Sequence, residues 1–451
     1  MHQQGRNKEA RTDGIVLGFV AGGYSGNASQ WVFSGIRLQG EKVWRPQRLA
    51  WVALLMAWDE GQTLATRWEH AKQAALAWHA GWELGTSYSG FTEALTRSSD
   101  TLVTVLKKRL RREMLRIAPQ HTHRCRWLAL AADGSRFETP HVEANEKELG
   151  CAGREKTAPQ VFVTTLWHMG TGLPWDFRTG PGTDSERRHL ETMIDDLPER
   201  SLLVADAGFA GFELCKKIRE SGRFFLFRVG SNVTLLTELG YEYEQRDGRV
   251  YLWPQKHRHQ PPLVLRLIQL TRGKQTVYLL TNVLDPADLT DEEAGVLYEM
   301  RWGIEVFYRS CKQTLERRKL LSRTPSTCLA EAQWTLLGIW LLGLLTMSEL
   351  VPQGIDPLAI SFAKARDAVR RAMRRASSSR RTRRGFRSLR QELARATKDQ
   401  YQRRYPKNAR NYPRKKREQP PGPPNIKSAT TTERTRAQQL LEQLRPTRRT
   451  A

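Results

Sequence analysis

The chain has 451 residues, 39% of them apolar and 27% charged, which is enough for two or three domains with a substantial core. Its 14 Trp, 14 Phe and 11 Tyr require a packed interior, which excludes a wholly disordered chain. Of the net charge of +26, residues 361–451 carry +22 (28 Lys/Arg against 6 Asp/Glu) and the first 360 residues only +4. A nearly neutral body with a polycationic end indicates a polyanionic partner such as nucleic acid.

Several other classes of protein are disfavoured. The five cysteines form no CxxC pair, so neither a disulfide framework nor a zinc ribbon is indicated, and a reducing cytoplasm fits. The pairs His121/His123 and His257/His259 lack cysteine partners at metal-ligand spacing. The longest apolar run, 334–347, is shorter than the ~20 residues that span a bilayer, so we expect a buried core helix and no membrane association.

The first part of the chain, 1–122, is predicted to be a mainly helical region. Apolar stripes at helical spacing cover about 46–119, and Ser99 and Asp100 are candidate caps for the last helix. The outer face of that helix is basic, so it is either simply solvated or faces DNA phosphates. Its cations are Lys107, Lys108, Arg109, Arg111, Arg112 and Arg116.

From Arg126 the pattern becomes α/β, with strands and helices in turn up to about 229. Residues 230–283 contain only strand patterns, which predicts a β subdomain inserted into the α/β domain of 123–350. A long helix is predicted from about Asp291 to Glu316, followed by the apolar helix. The Arg/Lys-rich residues 351–451 are expected to be a largely disordered tail that adds nonspecific affinity for duplex DNA.

Two aspartates follow short buried strands. Asp133 ends the strand in LALAADGS, and Asp206 ends the strand in SLLVADAG. Either one alone is readily explained as a turn or helix-cap residue. Two such carboxylates at the ends of adjacent strands could instead hold divalent cations through oxygen ligands.

Four chemically distinct side chains share one face of the predicted long helix. At 100° per residue from Tyr298, Arg301, Glu305 and Lys312 fall at about 300°, −20° and −40°. A hydroxyl, a guanidinium, a carboxylate and an ammonium on one face could hold a phosphodiester beside a metal. An Arg–Glu i,i+4 ion pair on a solvated helix is the alternative interpretation.

The spacing Tyr298-x2-Arg301-x3-Glu305-x6-Lys312 resembles the Tyr-Arg-Glu-Lys signature of the DDE transposases of bacterial insertion-sequence family four. The segments around Asp133 and Asp206 are similar to the first and second acidic motifs of that family. The resemblance covers about residues 85–345. It departs at Ala207, where the family frequently has Arg, and that departure puts one phosphate contact in doubt.

The resemblance implies an RNase H-like catalytic core with a β insertion and a metal-binding triad of Asp133, Asp206 and Glu305. It implies that Tyr298, Arg301 and Lys312 bind the DNA backbone at the transposon end. Two Mg²⁺ ions, for which Mn²⁺ can substitute, would activate a water or a 3′-hydroxyl. The implied function is cut-and-paste transposition, in which a DNA hairpin intermediate is typical of the family.

Other candidates are given simpler roles. Glu138 is interpreted as a strand-edge residue, the neighbouring Asp195 and Asp196 as the solvated end of a helix, and Glu316 as lying outside the signature. Trp253 in the β insertion could stack on a flipped base, although a Trp at a hairpin is more often a packing residue.

The expected partners are the terminal inverted repeats and target DNA, bound by a homodimer in a synaptic complex at the nucleoid of a bacterial cytoplasm. Two other functions remain open. The chain could be a metal-dependent nuclease without strand transfer, or an inactive, domesticated DNA-binding protein. The tail could also be a docking or dimerising segment that uses Leu440, Leu441 and Leu444.

Overall fold

A computed structural model describes residues 43–79, 81–152, 158–241, 248–272, 275–378, 382–399 and 422–444. The helices are α1 Pro46–Trp58, α2 Leu64–Trp78, α3 Tyr88–Ile117, α4 Glu143–Glu148, α5 Glu186–Glu191, α6 Phe212–Glu220, α7 Asp291–Met300, α8 Gly303–Arg309, α9 Pro325–Leu350, α10 Phe362–Ser378, α11 Thr382–Leu393 and α12 Thr431–Leu444. The strands are β1 Leu128–Glu138, β2 Gln160–His168, β3 Leu173–Pro181, β4 Ser201–Ala205, β5 Phe224–Val229, β6 Thr234–Thr237, β7 Arg249–Leu252, β8 Leu263–Arg272, β9 Gln275–Thr281 and β10 Asn425–Ser428.

These elements form two compact units, each assembled from separate stretches of chain. We call them the helical unit and the sheet unit. Within the described residues, the helical unit contains 43–122, 134–184 and 304–399, and the sheet unit contains 123–133, 185–303 and 422–444. Strand β1 contributes its first part to the sheet unit and its last part to the helical unit.

The helical unit is built around the apolar helix α9, which is predicted correctly as a core helix. It is long and apolar enough to cross a membrane by length and composition alone, but 89% of its apolar window is buried in the protein. Gly338 allows α1 to approach closely, because a Cβ there would lie 2.7 Å from the Cβ of Ala57. The Trp58 indole donates a hydrogen bond to the Gly338 carbonyl at 2.8 Å, which fixes this crossing.

Helices α1 to α3 confirm the helical pattern of 46–119, but α3 begins earlier than its predicted cap. The Ser87 hydroxyl accepts from the Gly90 amide at 3.2 Å and is the true N-cap. Ser99 lies within the helix, where its hydroxyl donates to the Leu95 carbonyl at 2.7 Å. A serine can cap a helix or bond to the preceding turn, and sequence alone does not separate these two uses.

The sheet unit confirms the mixed α/β pattern. Strand β1 pairs with β4 and β4 with β5, all parallel, and β5 pairs with β9 in the antiparallel sense. The order continues from β9 through β8, β7 and β6 to β10. The predicted β region of 230–283 therefore consists of strands that extend the same sheet.

The expectation of a largely disordered tail is wrong for the residues that the structure describes. Helices α10 and α11 belong to the helical unit, and α10 buries Ala365, Ala368, Val369, Ala372 and Met373. Strand β10 pairs with β6 in parallel, so the chain end also contributes to the sheet unit. The expectation rested on an average over the basic composition, which hid an apolar stripe on α10.

Candidate active site

The two acidic ligands predicted from apolar strand patterns, Asp133 and Asp206, both belong to the sheet unit. Strands β1 and β4 pair from Leu128 with Ser201 to Ala131 with Val204. The pairing ends there, and the same register extended by two residues would bring Asp133 opposite Asp206. Neighbouring strands lie about 4.8 Å apart and opposed residues point to the same face. Both side chains are half-buried. Asp206 follows the carboxyl end of β4 as predicted, whereas the prediction that Asp133 ends its strand is wrong, because β1 continues to Glu138.

The loop after β4 shapes this carboxylate pair. The Gly208 amide donates to Asp206 Oδ1 at 2.8 Å, which orients that side chain. A Cβ at Gly208 would lie 2.8 Å from Glu186 Oε1 and 2.9 Å from Asp206 Oδ1, so a larger residue here would displace one of these carboxylates. The Arg187 Nε donates to the Gly208 carbonyl at 2.6 Å and holds α5 against the loop.

Glu186 is therefore a carboxylate beside Asp206 that the sequence analysis did not identify. Its only signal in the sequence is its position in the first turn of a short helix after Ser185, which is common for a structural Glu. Its approach to Asp206 depends on the packing of α5 against the loop at Gly208, a tertiary contact that periodicity does not report.

The predicted long helix is wrong. Helix α7 starts with a capping box between Thr290 and Glu293 and ends at Met300. After it, the Trp302 amide bonds to the Glu299 carbonyl at 3.1 Å, which tightens the last turn. Helix α8 then begins at Gly303, a residue of low helix propensity, and is followed by a π turn at Ser310–Thr314. The angles calculated for one regular helix therefore do not describe the four signature residues.

The end of α7 carries the first two signature residues, in the sheet unit. Arg301 is 9% exposed, and its guanidinium lies 5.4 Å from the centre of the Tyr298 ring. This cation–π contact limits the directions in which the guanidinium can point. Trp302, the next residue, is 55% exposed and was not identified from the sequence, because exposure of an aromatic side chain depends on where the helix breaks.

The other two signature residues belong to the helical unit. Glu305 is half-buried on α8, which is packed so that the Tyr308 hydroxyl donates to the Val163 carbonyl at 3.4 Å. Lys312 lies in the π turn, and its Nζ is 5.3 Å from the centre of the Phe137 ring on β1. The predicted triad thus draws two members from one unit and one from the other. Among the described residues, no group of three or more His, Cys, Asp or Glu side chains is placed to hold a metal.

Trp253 is buried, which corrects the expectation that its ring is open to a flipped base. It is 2% exposed, and its indole N–H donates to the Gln260 carbonyl at 2.8 Å. The Arg258 guanidinium lies 4.3 Å from the ring centre and covers one face. Stacking on a base would require Arg258 to leave, so Trp253 is a packing residue in this structure.

The simpler roles given to the other acids agree with the structure. Glu138 is at the edge of β1, where its amide donates to the Arg318 carbonyl at 3.3 Å. Asp195 lies 3.5 Å from Lys217 at an exposed position. Glu316 forms ion pairs with two arginines of α10, as described below.

Comparison with known proteins bears on the segment that contains these residues. Residues 128–341 match the family model of the transposase DDE domain. This segment is thus similar to the transposase DDE domain. It includes the two aspartates, the loop at Gly208 and the whole Tyr-Arg-Glu-Lys spacing.

Two similar proteins agree with the resemblance to insertion-sequence family four. The chain is 27% identical over 272 residues to the transposase InsG for insertion sequence element IS4 of Escherichia coli (strain K12), which covers 57% of this chain and 61% of the relative. It is 21% identical over 169 residues to a transposase described as putative for element IS4SA of Synechocystis sp., covering 36% of this chain and 47% of the relative. The matches thus span about half to three-fifths of these relatives.

A solved structure of the piggyBac transposase synaptic complex with hairpin DNA matches 83% of this chain and 81% of its own. The TM-score is 0.42 and the identity is 11%.

Proposed function

We propose that this protein is a DDE transposase that cleaves the ends of its own mobile element and joins them to target DNA. The observation that carries the proposal is the parallel pairing of β1 with β4, whose register, extended by two residues, aligns Asp133 with Asp206 in the segment that matches the transposase DDE model. The parallel strands β1, β4 and β5, with the antiparallel hairpin β2–β3, are compatible with an RNase H-like core.

DDE transposases use divalent metal ions, and we propose that this chain does so too. Asp133 and Asp206 offer carboxylate oxygens, which suit Mg²⁺ or Mn²⁺, and Gly208 leaves the space beside Asp206 Oδ1 open. Glu305 is the third residue of the proposed set. When bound, two such ions would polarise the scissile phosphate and activate the attacking water or 3′-hydroxyl. The chain's own part is to hold these oxygens in place, through the Gly208 amide and the packing of α8.

Arg301 and Lys312 would bind the DNA backbone next to the metal site. The Tyr298 ring restrains the Arg301 guanidinium, and a restrained planar fork suits bidentate binding of phosphate. Trp302 adds an exposed aromatic face next to this guanidinium, on which a base can stack.

Helix α3 supports a role for the N-terminal helices in binding transposon ends, but with fewer cations than its sequence offers. Lys107 bonds to Asp176 at 2.6 Å and the Arg111 Nε bonds to the Trp175 carbonyl at 3.1 Å, so both face the protein. Lys108, Arg112 and Arg116 are exposed at intervals of four residues, and they form one stripe that a DNA strand could follow. The partners we propose are terminal inverted repeats and target DNA, bound by a homodimer at the nucleoid.

A strand-transfer assay with each acid changed in turn tests the proposal. Asp133→Asn, Asp206→Asn and Glu305→Gln should each abolish cleavage of transposon-end DNA in Mg²⁺, while end binding stays nearly intact. Asp195→Asn is the matched control, because it removes one exposed carboxylate elsewhere in the sheet unit and should leave cleavage unchanged.

The assay also distinguishes the rival functions. Appreciable cleavage by the Glu305→Gln variant would show that Glu305 is not the third ligand. Cleavage without joining by the unaltered protein would identify a nuclease, and binding without cleavage would identify an inactive relative.

A further inference from the structure

The π turn that carries Lys312 ends in an unusual backbone arrangement. The Leu315 amide bonds to the Ser310 carbonyl at 3.0 Å, and the Arg317 amide bonds to the Cys311 carbonyl at 3.3 Å. Glu316, between them, has a positive φ of 58°, in the left-handed region that non-glycine residues rarely adopt. Such a conformation persists only where the surrounding structure holds it.

The residues that hold it come from the basic helix α10. The Arg366 Nη1 donates to the Thr314 carbonyl at 2.5 Å, at the last residue of the turn, and lies 3.9 Å from the Glu316 carboxylate. One helical turn later, the Arg370 Nη1 donates to Glu316 Oε1 at 3.2 Å. Two guanidinium groups therefore hold both the carbonyl end of the turn and its left-handed residue.

These two arginines are themselves firmly placed. Arg370 is 6% exposed, and its Nε donates to the Trp58 carbonyl at the end of α1 at 2.8 Å. Arg366 is also fixed by Asp367, whose Oδ1 accepts from its Nε at 2.8 Å. The apolar face of α10 is buried in the helical unit, and this packing holds the backbone from which both guanidinium groups extend.

We propose that Arg366 and Arg370 are positioning residues for DNA strand processing, which set the π turn so that Lys312 meets the phosphate backbone. This inference rests on the phosphate-binding role proposed above for Lys312. It gives the basic helix α10 a part in the active site, beyond any general attraction of its charge for DNA.

The same helix supplies a matched control. Arg371 is adjacent to Arg370, but it bonds to Glu392 of α11 at 2.8 Å. Arg371→Met thus removes one charge and one ion pair from α10 without touching Thr314 or Glu316. Arg366→Met also removes one charge, together with the ion pairs to Glu316 and Asp367 and the bond to Thr314. Arg366→Lys retains a cation that can still donate to the Thr314 carbonyl.

Amide hydrogen exchange of the full-length protein, without DNA, tests whether Arg366 holds the π turn. In the Arg366→Met protein, amides of residues 310–317 should exchange faster than in the unaltered protein, by about tenfold or more if local opening governs them. The same amides should be unchanged in Arg371→Met and largely restored in Arg366→Lys. Unchanged exchange in Arg366→Met would overturn the inference directly.

DNA assays test the consequence for Lys312. Relative to Arg371→Met, Arg366→Met should flatten the plot of log affinity against log salt by about 0.9, which corresponds to one phosphate no longer neutralised. It should also lower the rate of end cleavage by about 10- to 100-fold, as expected for a misplaced group. In a Lys312→Ala background, Arg366→Met should cause no further change in the salt slope.

The outcomes distinguish failure of the phosphate-binding role of Lys312 from failure of the positioning role of Arg366 and Arg370. If Lys312→Ala itself leaves the salt slope and cleavage unchanged, the phosphate-binding role fails, and the positioning role fails with it. If Lys312→Ala weakens binding but Arg366→Met behaves like Arg371→Met, only the positioning role is overturned.

Discussion

At the scale of the residue, the structure separates two tryptophans that composition treats alike. Trp302 is largely exposed, so Trp302→Ala should change the free energy of unfolding by less than about 0.5 kcal/mol. Its affinity for transposon-end DNA should fall if a base stacks there, by about 1–3 kcal/mol. Denaturant titration and binding to duplexes with one unpaired base measure the two effects. An unchanged affinity would remove Trp302 from the interface.

Trp253 should show the opposite pattern. Trp253→Ala should cost about 3–5 kcal/mol of unfolding free energy, because it empties a filled site in the core. Trp253→Phe keeps most of the ring volume and loses the indole bond to Gln260, so it should cost clearly less. Equal and negligible losses of stability in both variants would contradict the packing role.

His79 makes the stability of the helical unit depend on pH. Burial between aromatic rings lowers the pKa of His79 to about 4, against 6.5 for the unperturbed side chain. The unfolded chain therefore binds a proton between these values and the folded protein does not, so stability is complete above pH 6.5 and falls as the pH falls towards 4. Between pH 7 and 5, the free energy of unfolding should therefore fall by about 2 kcal/mol.

Urea unfolding at pH 7 and pH 5 measures this fall against a His79→Gln variant. The difference in unfolding free energy between the two proteins should shrink by about 2 kcal/mol at the lower pH, because the variant lacks the titrating group. An unchanged difference would mean that His79 takes up its proton without unfolding of the unit.

At the scale of the element, the sequence predicts what depends on periodicity and misses what depends on tertiary packing. The sequence predicts α1 to α3 and α9 from their apolar residues at helical spacing. It predicts β1, β4 and β5 from their short apolar runs, because each element buries one face or both. The break at Arg301–Trp302 and the π turn at Lys312 could not be predicted, because one helical period fits 291–316 as well as three shorter segments. The carboxylate pair was expected, but its alignment needed the register of β1 on β4.

Helix α10 is the element at which composition was most misleading. The cations of α10 are largely neutralised within the unit. Arg370 and Arg374 pair with Glu60, Arg371 and Arg375 pair with Glu392, and Lys364 pairs with Asp399. The helix thus resembles a disordered basic tail in composition and functions as a packed helix.

Two truncated proteins test whether α10 is a packed helix or part of a disordered tail. A chain that ends at residue 360 lacks α10 and its buried apolar face, so its free energy of unfolding should fall by several kcal/mol and its thermal midpoint should fall with it. A chain that ends at residue 399 retains α10 and should keep the helical unit close to its original stability. Circular dichroism during thermal unfolding compares the two. Equal midpoints would mean that α10 is dispensable for the core.

At the scale of the whole molecule, the question is which part of the positive charge is available to DNA. Residues 400–421 carry eight Lys/Arg and one Glu, and they lie outside the described residues. The described segment 422–444 carries three Lys/Arg and two Glu. Three of these side chains bond to other residues of the sheet unit, and one of them is Arg436, whose Nε donates to the Arg258 carbonyl at 3.5 Å. Glu433 bonds to Arg258 at 2.6 Å, and Arg434 bonds to Glu238 at 3.2 Å.

Charge neutralisation at constant length tests whether residues 400–421 supply the nonspecific affinity. Replacement of their eight Lys/Arg by Gln should flatten the salt dependence for random duplex, by about 0.9 for each phosphate that is no longer neutralised and so by several units. Discrimination between transposon ends and random duplex should change much less, because binding through charge alone does not read base edges. The control replaces Arg371, Arg374 and Arg375, which are paired within the unit, and should alter the slope far less per charge removed. An unaltered slope in the eightfold variant, or loss of the specific complex alone, would contradict an electrostatic tether and favour a docking role for the chain end.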